Sequence, residues 1–125
     1  MGLPRILIVD DDRMIRTMVR EAVEEIGFDV QEAKDGREGL HAAQRSPPQL
    51  IILDVQMPHM DGYAMCEAVR RLEPTKEIPV LILTVHGDAK SVERAFEAGA
   101  TDFISKPFDQ QILQHRVLFM MRASN

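Results

Sequence analysis

The sequence predicts an α/β fold in which five parallel strands form a doubly wound sheet with helices on both faces. Short apolar, β-branched runs alternate five times with longer amphipathic stretches, and nothing between them is long enough for a second domain. Right-handed crossovers between such units favour a parallel sheet in three αβα layers. Acidic residues follow two of the apolar runs directly, which marks the edge of the sheet where a ligand is expected.

The predicted strands are continuous apolar runs, except for the second, which alternates like an exposed edge strand. They span residues 5–9, 28–33, 50–53, 79–83 and 101–105. The predicted helices span 12–26, 35–45, 61–73, 88–98 and 109–122. Asp12 and Asp61 are predicted to cap helices, and Gly27 and Gly99 to end them.

An apolar stripe at helical spacing predicts the face that the first helix packs against the sheet. It consists of Met14, Met18, Ala22 and Ile26, with Ile15, Val19 and Val23 beside them.

The composition is typical of a folded cytoplasmic protein. An apolar content of 45% suffices for one core, and the net charge of −5 gives no reason to bind nucleic acid or an anionic membrane. Cys66 is the only cysteine, which excludes an internal disulfide and favours a reducing compartment. No apolar run approaches the roughly 20 residues that a membrane span needs. We therefore expect a cytoplasmic protein that contacts neither nucleic acid nor a membrane directly.

Acidic residues follow two of the buried strands. Asp10, Asp11 and Asp12 come after the first strand, and Asp54 follows the third. Ligands of doubly wound sheets bind between strands 1 and 3 at the carboxyl edge, so these carboxylates should meet there. Clustered carboxylates repel one another and need a cation, and oxygen ligands suit Mg²⁺. A single aspartate at a strand end more often caps the following helix. From the pattern of residues we assign only Asp10 and Asp11 to the cation.

Asp54 is the candidate nucleophile. A carboxylate can attack phosphorus and form an acyl phosphate if a metal and an ammonium offset the charge. Lys106 ends the last strand, where Pro107 restricts its backbone, and can supply the ammonium. Thr84 ends the fourth strand and can hydrogen-bond a phosphoryl oxygen. Each residue alone would be an ordinary strand end, but together they predict metal-assisted phosphoryl transfer to a carboxylate.

These residues resemble the receiver domain of two-component response regulators, the CheY-like family. The matching segments are Ile6–Asp11, Asp54–Gly62, Thr84 and Lys106–Phe108. The resemblance covers essentially the whole chain, so residues 1–125 are expected to form one receiver domain. It implies the flavodoxin-like strand order 2-1-3-4-5, a phosphoryl group supplied by a sensor histidine kinase or a phosphotransfer protein, and a signalling role rather than an enzymatic one.

The resemblance also implies a phosphoacceptor and a metal site. Asp54 would accept the phosphoryl group. Mg²⁺, or Mn²⁺, would be bound directly by Asp11 and Asp54, through water by Asp10, and by the main-chain carbonyl of Gln56.

The resemblance further implies a switch, in which Lys106 and Thr84 hold the phosphoryl oxygens and the rotamer of Phe103 follows Thr84. From the pattern alone, an aromatic residue inside the last strand is more often a core residue. Val85 stands where the family usually has a smaller residue, so we expect it to influence access to the site and the lifetime of the phosphoryl group. His86, like Gln56, occupies a variable flanking position that can position or exclude water. It is not expected to bind Mg²⁺, which prefers oxygen ligands.

The last helix is more apolar than one packing face requires, because Val117–Met121 is apolar all round. Either a partner or ordinary core and chain-end contacts explain this composition. The resemblance implies a homodimer through the fourth helix, fifth strand and fifth helix. The run from His115 to Ser124 also resembles receivers joined to cyclic-di-GMP enzymes, which predicts an output domain beyond Asn125.

Three other functions fit parts of the pattern. An aspartate-nucleophile phosphatase carries its nucleophile after the first strand with a second aspartate two residues on, where Asp54 has Gln56, and it needs a cap over its substrate. A flavodoxin-like cofactor module needs a Ser-, Thr- or Gly-rich phosphate cradle where the three aspartates lie. A receiver-like module that binds partners without phosphorylation stays open, although all the site residues are present.

Overall fold

The computed structural model describes residues 2–124 and contains one five-stranded sheet. The strands are β1 (Arg5–Val9), β2 (Asp29–Ala33), β3 (Leu50–Leu53), β4 (Val80–Thr84) and β5 (Asp102–Ser105). The helices are α1 (Arg13–Glu25), α2 (Gly36–Arg45), α3 (Gly62–Arg71), α4 (Ala89–Glu97) and α5 (Gln110–Ala123). All strand pairs are parallel, in the order β2-β1-β3-β4-β5. The predicted fold and strand order are confirmed; Met1 and Asn125, the ends of the predicted domain, lie outside the described residues.

The sheet separates two apolar cores. Helices α2, α3 and α4 pack on one face, and α1 and α5 pack on the other. Successive side chains of a strand point to opposite faces, so Leu7 and Val9 enter the first core while Ile6 and Ile8 enter the second. Burying each such aliphatic side chain stabilises the fold by about 1.5–3 kcal/mol. The carboxyl edge of the sheet is thereby held rigidly from both sides.

Every helix begins directly after an aspartate whose carboxylate accepts hydrogen bonds from its first turn. These aspartates are Asp12, Asp35, Asp61, Asp88 and Asp109. Such caps contribute about 1 kcal/mol each. The predicted caps at Asp12 and Asp61 are confirmed, and so are the turns after α1 and α4, where Gly27 and Gly99 adopt φ of 97° and 103°.

The packing face of α1 differs from the predicted stripe. Met14 is 70% exposed and Met18 47%, whereas Val19, Ala22 and Val23 are buried. Ala22 and Ile26 of the predicted row pack in the second core, so only the first half of that row, Met14 and Met18, faces away from the sheet. The prediction that Met14 and Met18 pack on the sheet was therefore wrong.

Several predicted boundaries also move by a residue or two. α3 ends at Arg71 rather than near Glu73, β4 begins at Val80, and β5 begins at Asp102. Pro79 lacks the N–H of a ladder residue but still accepts a hydrogen bond from the Ile51 N–H at 3.0 Å.

The last helix exposes apolar side chains, as its composition predicted. Val117 and Met120 are buried, whereas Phe119 is 64% exposed and Leu118 39%. Across residues 2–124, no helix is both long and apolar enough to cross a membrane.

Candidate functional site

The carboxyl ends of β1 and β3 lie side by side, and an aspartate follows each. Val9 is paired with Leu53, and the Asp54 N–H donates to the Val9 carbonyl at 2.9 Å. Carboxylate oxygens of Asp10, Asp11 and Asp54 lie within 4.8 Å of one another. Asp10 and Asp54 are buried, while Asp11 is exposed. Parallel pairing of two buried strands thus brings together three of the acidic residues singled out in the sequence.

Lys106, which follows β5, places its ammonium among these carboxylates. Its Nζ lies 2.8 Å from Asp10 Oδ2 and 3.4 Å from Asp54 Oδ1, and its side chain is only 11% exposed. The Lys106 N–H donates to the Thr84 carbonyl at 2.7 Å, and the Lys106–Pro107 peptide bond is cis. One ammonium faces three carboxyl groups, so the cluster retains an excess of negative charge.

Burial is the main influence on the charge of Asp54. It raises the pKa of the Asp54 carboxyl above the ordinary value of 3.8, and the neighbouring Asp10 carboxylate raises it further. The Lys106 ammonium and a hydrogen bond from the Val55 N–H at 2.8 Å oppose this rise in pKa. An ionised Asp54 therefore gains from additional positive charge nearby.

The donor set fits a hard divalent cation. Carboxylate oxygens, an excess of negative charge and space for water are what Mg²⁺ requires. Asp11 lines an open cleft of about 600 Å³, together with Gln56 and Tyr63 among others. The acidic cluster can thus hold a metal ion on its solvent side while Lys106 occupies the protein side.

The loop after Asp54 folds tightly back onto the strand. The Gly62 N–H donates to the Val55 carbonyl at 2.8 Å, and a Cβ at Gly62 would overlap the Asp54 carbonyl oxygen. His59 has a φ of 70°, which is uncommon for a residue other than glycine. A side chain at position 62 would push the loop away from the residue that it holds.

Thr84 lies at the same edge of the sheet but is not connected to the carboxylates by a hydrogen bond among the described residues. It is fully buried, and its hydroxyl accepts a hydrogen bond from the His86 N–H at 3.4 Å. Phe103, opposite Ile82 in the register, is half-buried and packs against the core beneath α2, α3 and α4. Its position agrees with both a core residue and the predicted switch.

Of the variable flanking residues, Gln56 lines the cleft, and Val85 and His86 follow Thr84 at the end of β4. Val85 is 62% exposed and Gln56 is exposed. The His86 Nε2 atom is buried and has no hydrogen-bond partner within residues 2–124. The predicted effects of these three residues on access, water and phosphoryl lifetime stay predictions.

One contact at the site was not predicted. Arg16 in α1 donates from Nη1 to the Asp10 carbonyl at 2.7 Å. In the sequence, Arg16 is one of several basic residues on an amphipathic helix, and no pattern distinguishes it from a solvated arginine.

Comparison with known proteins identifies the family. The response regulator receiver domain family matches residues 6–118, which include all of the acidic cluster and Lys106. The chain belongs to this family. It is a receiver domain of a two-component response regulator, the function that the resemblance implied. Phosphorylation and Mg²⁺ binding are general properties of such domains, and histidine kinases are their partners.

Solved receiver structures share the fold of this receiver domain. A putative response regulator from Chloroflexus aurantiacus superimposes with a TM-score of 0.91 at 38% identity, covering 95% of this chain and 98% of that one. The chemotaxis protein CheY4 of Vibrio cholerae gives a TM-score of 0.89 at 34% identity, covering 95% and 99%.

The curated relatives are longer than this chain. The DNA-binding dual master transcriptional regulator RpaA of Synechocystis is 42% identical over 98% of this chain and 51% of its own length. The transcriptional regulatory protein CseB of Streptomyces avermitilis is 37% identical over 94% and 48%. The receiver domain thus spans about half the length of these relatives. Both are named as transcriptional regulators, so the predicted cyclic-di-GMP output lacks support.

Proposed function

We propose that this receiver domain is a phosphorylation-controlled switch in which Asp54 is the phosphoacceptor. The supporting observation is the cluster of Asp10, Asp11 and Asp54 around the ammonium of Lys106 at the carboxyl edge of the sheet. A buried carboxylate next to a cation site and a fixed ammonium is suited to accepting a phosphoryl group.

Mg²⁺ is the proposed cofactor, and Mn²⁺ is an alternative with the same ligand preferences. Asp11 and Asp54 would bind it directly, Asp10 through water, and Gln56 through its main-chain carbonyl. When bound, the ion offsets negative charge on the carboxylates and on the phosphoryl oxygens.

In the proposed transfer, a carboxylate oxygen of Asp54 forms a bond to phosphorus as the bond from phosphorus to the donor histidine nitrogen breaks. The electron pair of that bond stays on the histidine ring. The Val55 N–H, which donates to Asp54 Oδ1, helps to fix the direction of the carboxylate before attack. Lys106 and Thr84 then interact with the phosphoryl oxygens.

The proposed output is a change in binding rather than turnover of a substrate. Thr84 is buried and its hydroxyl makes only a long 3.4 Å contact, so it is available to a phosphoryl oxygen. In the proposed switch, Thr84 moves toward the phosphoryl group and the rotamer of Phe103 on the neighbouring strand follows it. We propose one receiver domain over residues 1–125 in a cytoplasmic protein. If the protein continues, the named relatives favour a DNA-binding output domain.

A homodimer through α4, β5 and α5 is also part of the proposal. Ile112 and Phe119 are 51% and 64% exposed and share a face of α5 with Arg116, which pairs with Asp102 of β5 at 3.0 Å. Phe96 of α4 is 47% exposed. Sedimentation equilibrium should show dimerisation that Phe119→Asp abolishes; a monomer at all concentrations, phosphorylated or not, would contradict it.

Intact-mass measurement tests the proposed phosphorylation. The protein is incubated with acetyl phosphate and Mg²⁺, and Asp54→Asn and a sample with EDTA serve as controls. We expect one phosphoryl adduct in the wild type and none in either control.

Other outcomes favour the other functions. No adduct with acetyl phosphate or a phosphorylated histidine donor would favour a module that acts without phosphorylation. Steady hydrolysis of unrelated phosphoesters would favour a phosphatase.

A further inference from the structure

The main-chain carbonyl of Asp10 is held by a partly buried arginine. Arg16 Nη1 donates to this carbonyl at 2.7 Å, and Arg16 Nε donates to Glu32 Oε1 at 2.9 Å. The Arg16 and Glu32 side chains are 15% and 25% exposed. Glu32 belongs to β2 and is paired with Ile8 of β1, so the guanidinium is anchored to the sheet. Arg16 therefore links the turn after β1 to the neighbouring strand.

This contact fixes one of the two peptide groups that flank Asp11. The peptide before Asp11 contains the Asp10 carbonyl, which Arg16 holds. The peptide after Asp11 contains the Asp12 N–H, which donates to Asp10 Oδ1 at 2.9 Å. Holding both peptides fixes the backbone angles φ and ψ of Asp11. The Cα–Cβ bond of its exposed side chain therefore points in a defined direction.

We propose that Arg16, supported by Glu32, is a positioning residue for the cation site: it sets the backbone of Asp11 and so the direction of its carboxylate toward the ion. The inference rests on the proposed function, because it assigns Asp11 to the metal. Outer hydrogen bonds of this kind typically change metal affinity by about 10- to 100-fold.

Charge and positioning predict opposite effects when Arg16 is replaced. Removing a positive charge near a cation site lowers repulsion, so electrostatics alone predicts tighter binding of Mg²⁺. Releasing the Asp10 carbonyl lets the turn move, so positioning predicts weaker binding. The direction of the change therefore distinguishes the two causes.

Arg20 provides a matched control. It lies one turn further along α1 and also pairs with Glu32, but it donates to the Val30 carbonyl at 3.3 Å and not to Asp10. Arg20→Met removes the same charge from the same network without releasing the turn before Asp11.

The experiment measures Mg²⁺ affinity of the phosphate-free protein by isothermal titration calorimetry. We expect Arg16→Met to weaken Mg²⁺ binding about tenfold, Arg20→Met to stay within about twofold, and Arg16→Lys to recover part of the loss. The rate of phosphorylation should depend on Mg²⁺ in a matching way. Arg16→Met should need a higher Mg²⁺ concentration for half-maximal rate, and it should keep most of the wild-type rate at saturating Mg²⁺.

Unchanged or tighter Mg²⁺ binding in Arg16→Met would overturn the inference, and so would equal weakening in Arg20→Met. Should Arg16→Met fail to fold, as judged by circular dichroism, Arg16→Lys carries the test, because it keeps the positive charge and loses the geometry of the guanidinium: weaker Mg²⁺ binding than in the wild type is expected, and unchanged binding would overturn the inference. A wild type that binds no Mg²⁺ would contradict the proposed function itself, whereas normal binding in both wild type and Arg16→Met contradicts this inference alone.

Discussion

The surroundings of Asp54 disfavour the ionised form of its carboxyl group. Burial and the adjacent Asp10 raise the pKa of its carboxyl, and only Lys106 and the Val55 N–H act in the other direction. A carboxylate in this state gains from a cation and from conversion to an acyl phosphate that interacts with both metal and lysine. Without a phosphoryl group or a metal ion nearby, the ionised Asp54 carboxylate therefore lowers the free energy of unfolding.

Replacing this carboxyl should therefore change how stability depends on pH. The folded state holds the Asp54 proton more tightly than the unfolded state, so in EDTA the free energy of unfolding should fall as pH rises from 3.8 through the raised pKa. The Asp54→Asn variant has no carboxyl group at this position, so its free energy of unfolding does not show this decrease. Urea denaturation should show little advantage of Asp54→Asn near pH 4 and a growing one toward neutral pH. An advantage that shrinks as pH rises would contradict the proposed electrostatics of the site.

Lys106 offsets the same negative charge from the protein side. Lys106→Met leaves Asp10 and Asp54 without their ammonium, and breaking a buried pair in this way costs about 3 kcal/mol. We expect that loss by urea denaturation in EDTA. Calorimetry without EDTA should show tighter binding of Mg²⁺, because a competing positive charge is gone. The variant should still accept phosphate but not change its partner affinity. Weaker Mg²⁺ binding, or normal switching, would contradict the role of Lys106.

At the scale of secondary-structure elements, α1 shows what a helix contributes to the site. Asp12 caps it with a hydrogen bond from the Met14 N–H at 2.8 Å, and Val19 anchors it in the core. Its inner row fixes the helix on the sheet, so that Arg16 reaches the turn after β1. The exposed side chains of Met14 and Met18 play no part in that packing.

The two rows of α1 should respond differently to truncation. Val19→Ala leaves a cavity in a closely packed core and should lower the free energy of unfolding by about 2 kcal/mol. Met18→Ala removes an exposed side chain and should change it by less than about 0.5 kcal/mol. Urea denaturation of both variants measures the difference. Equal losses would mean that the packing face of α1 is the predicted stripe after all.

The molecule as a whole explains which features could be predicted from sequence. Buried apolar runs that alternate with amphipathic helices predict parallel strands. Because Asp10 and Asp54 follow two such runs, the sequence alone places both at the same edge of the sheet. The exposure of Met14 and Met18 was mispredicted because two apolar rows satisfy the same helical period, and only the angle of the helix on the sheet decides how far each row is covered. The contact from Arg16 to the Asp10 carbonyl was missed because hydrogen bonds to main-chain atoms depend on geometry and leave no signal in residue type.

The whole molecule also shows why the site is proposed as a switch. The acidic cluster lies at the carboxyl ends of the central strands β1 and β3, while Phe96 of α4 and Phe119 of α5 are exposed on helices that cover opposite faces of the sheet. In the proposed switch, a chemical change at Asp54 reaches these helices through Thr84 of β4 and Phe103 of β5.

Chemical reduction followed by mass spectrometry identifies the residue that carries the phosphoryl group. Borohydride reduces an aspartyl phosphate to homoserine, so the protein is treated with acetyl phosphate and Mg²⁺, reduced, digested and sequenced by mass spectrometry. We expect homoserine at position 54 and at no other aspartate, and none when Mg²⁺ is removed by EDTA. Homoserine at Asp10 or Asp11 with an unmodified Asp54 would contradict it.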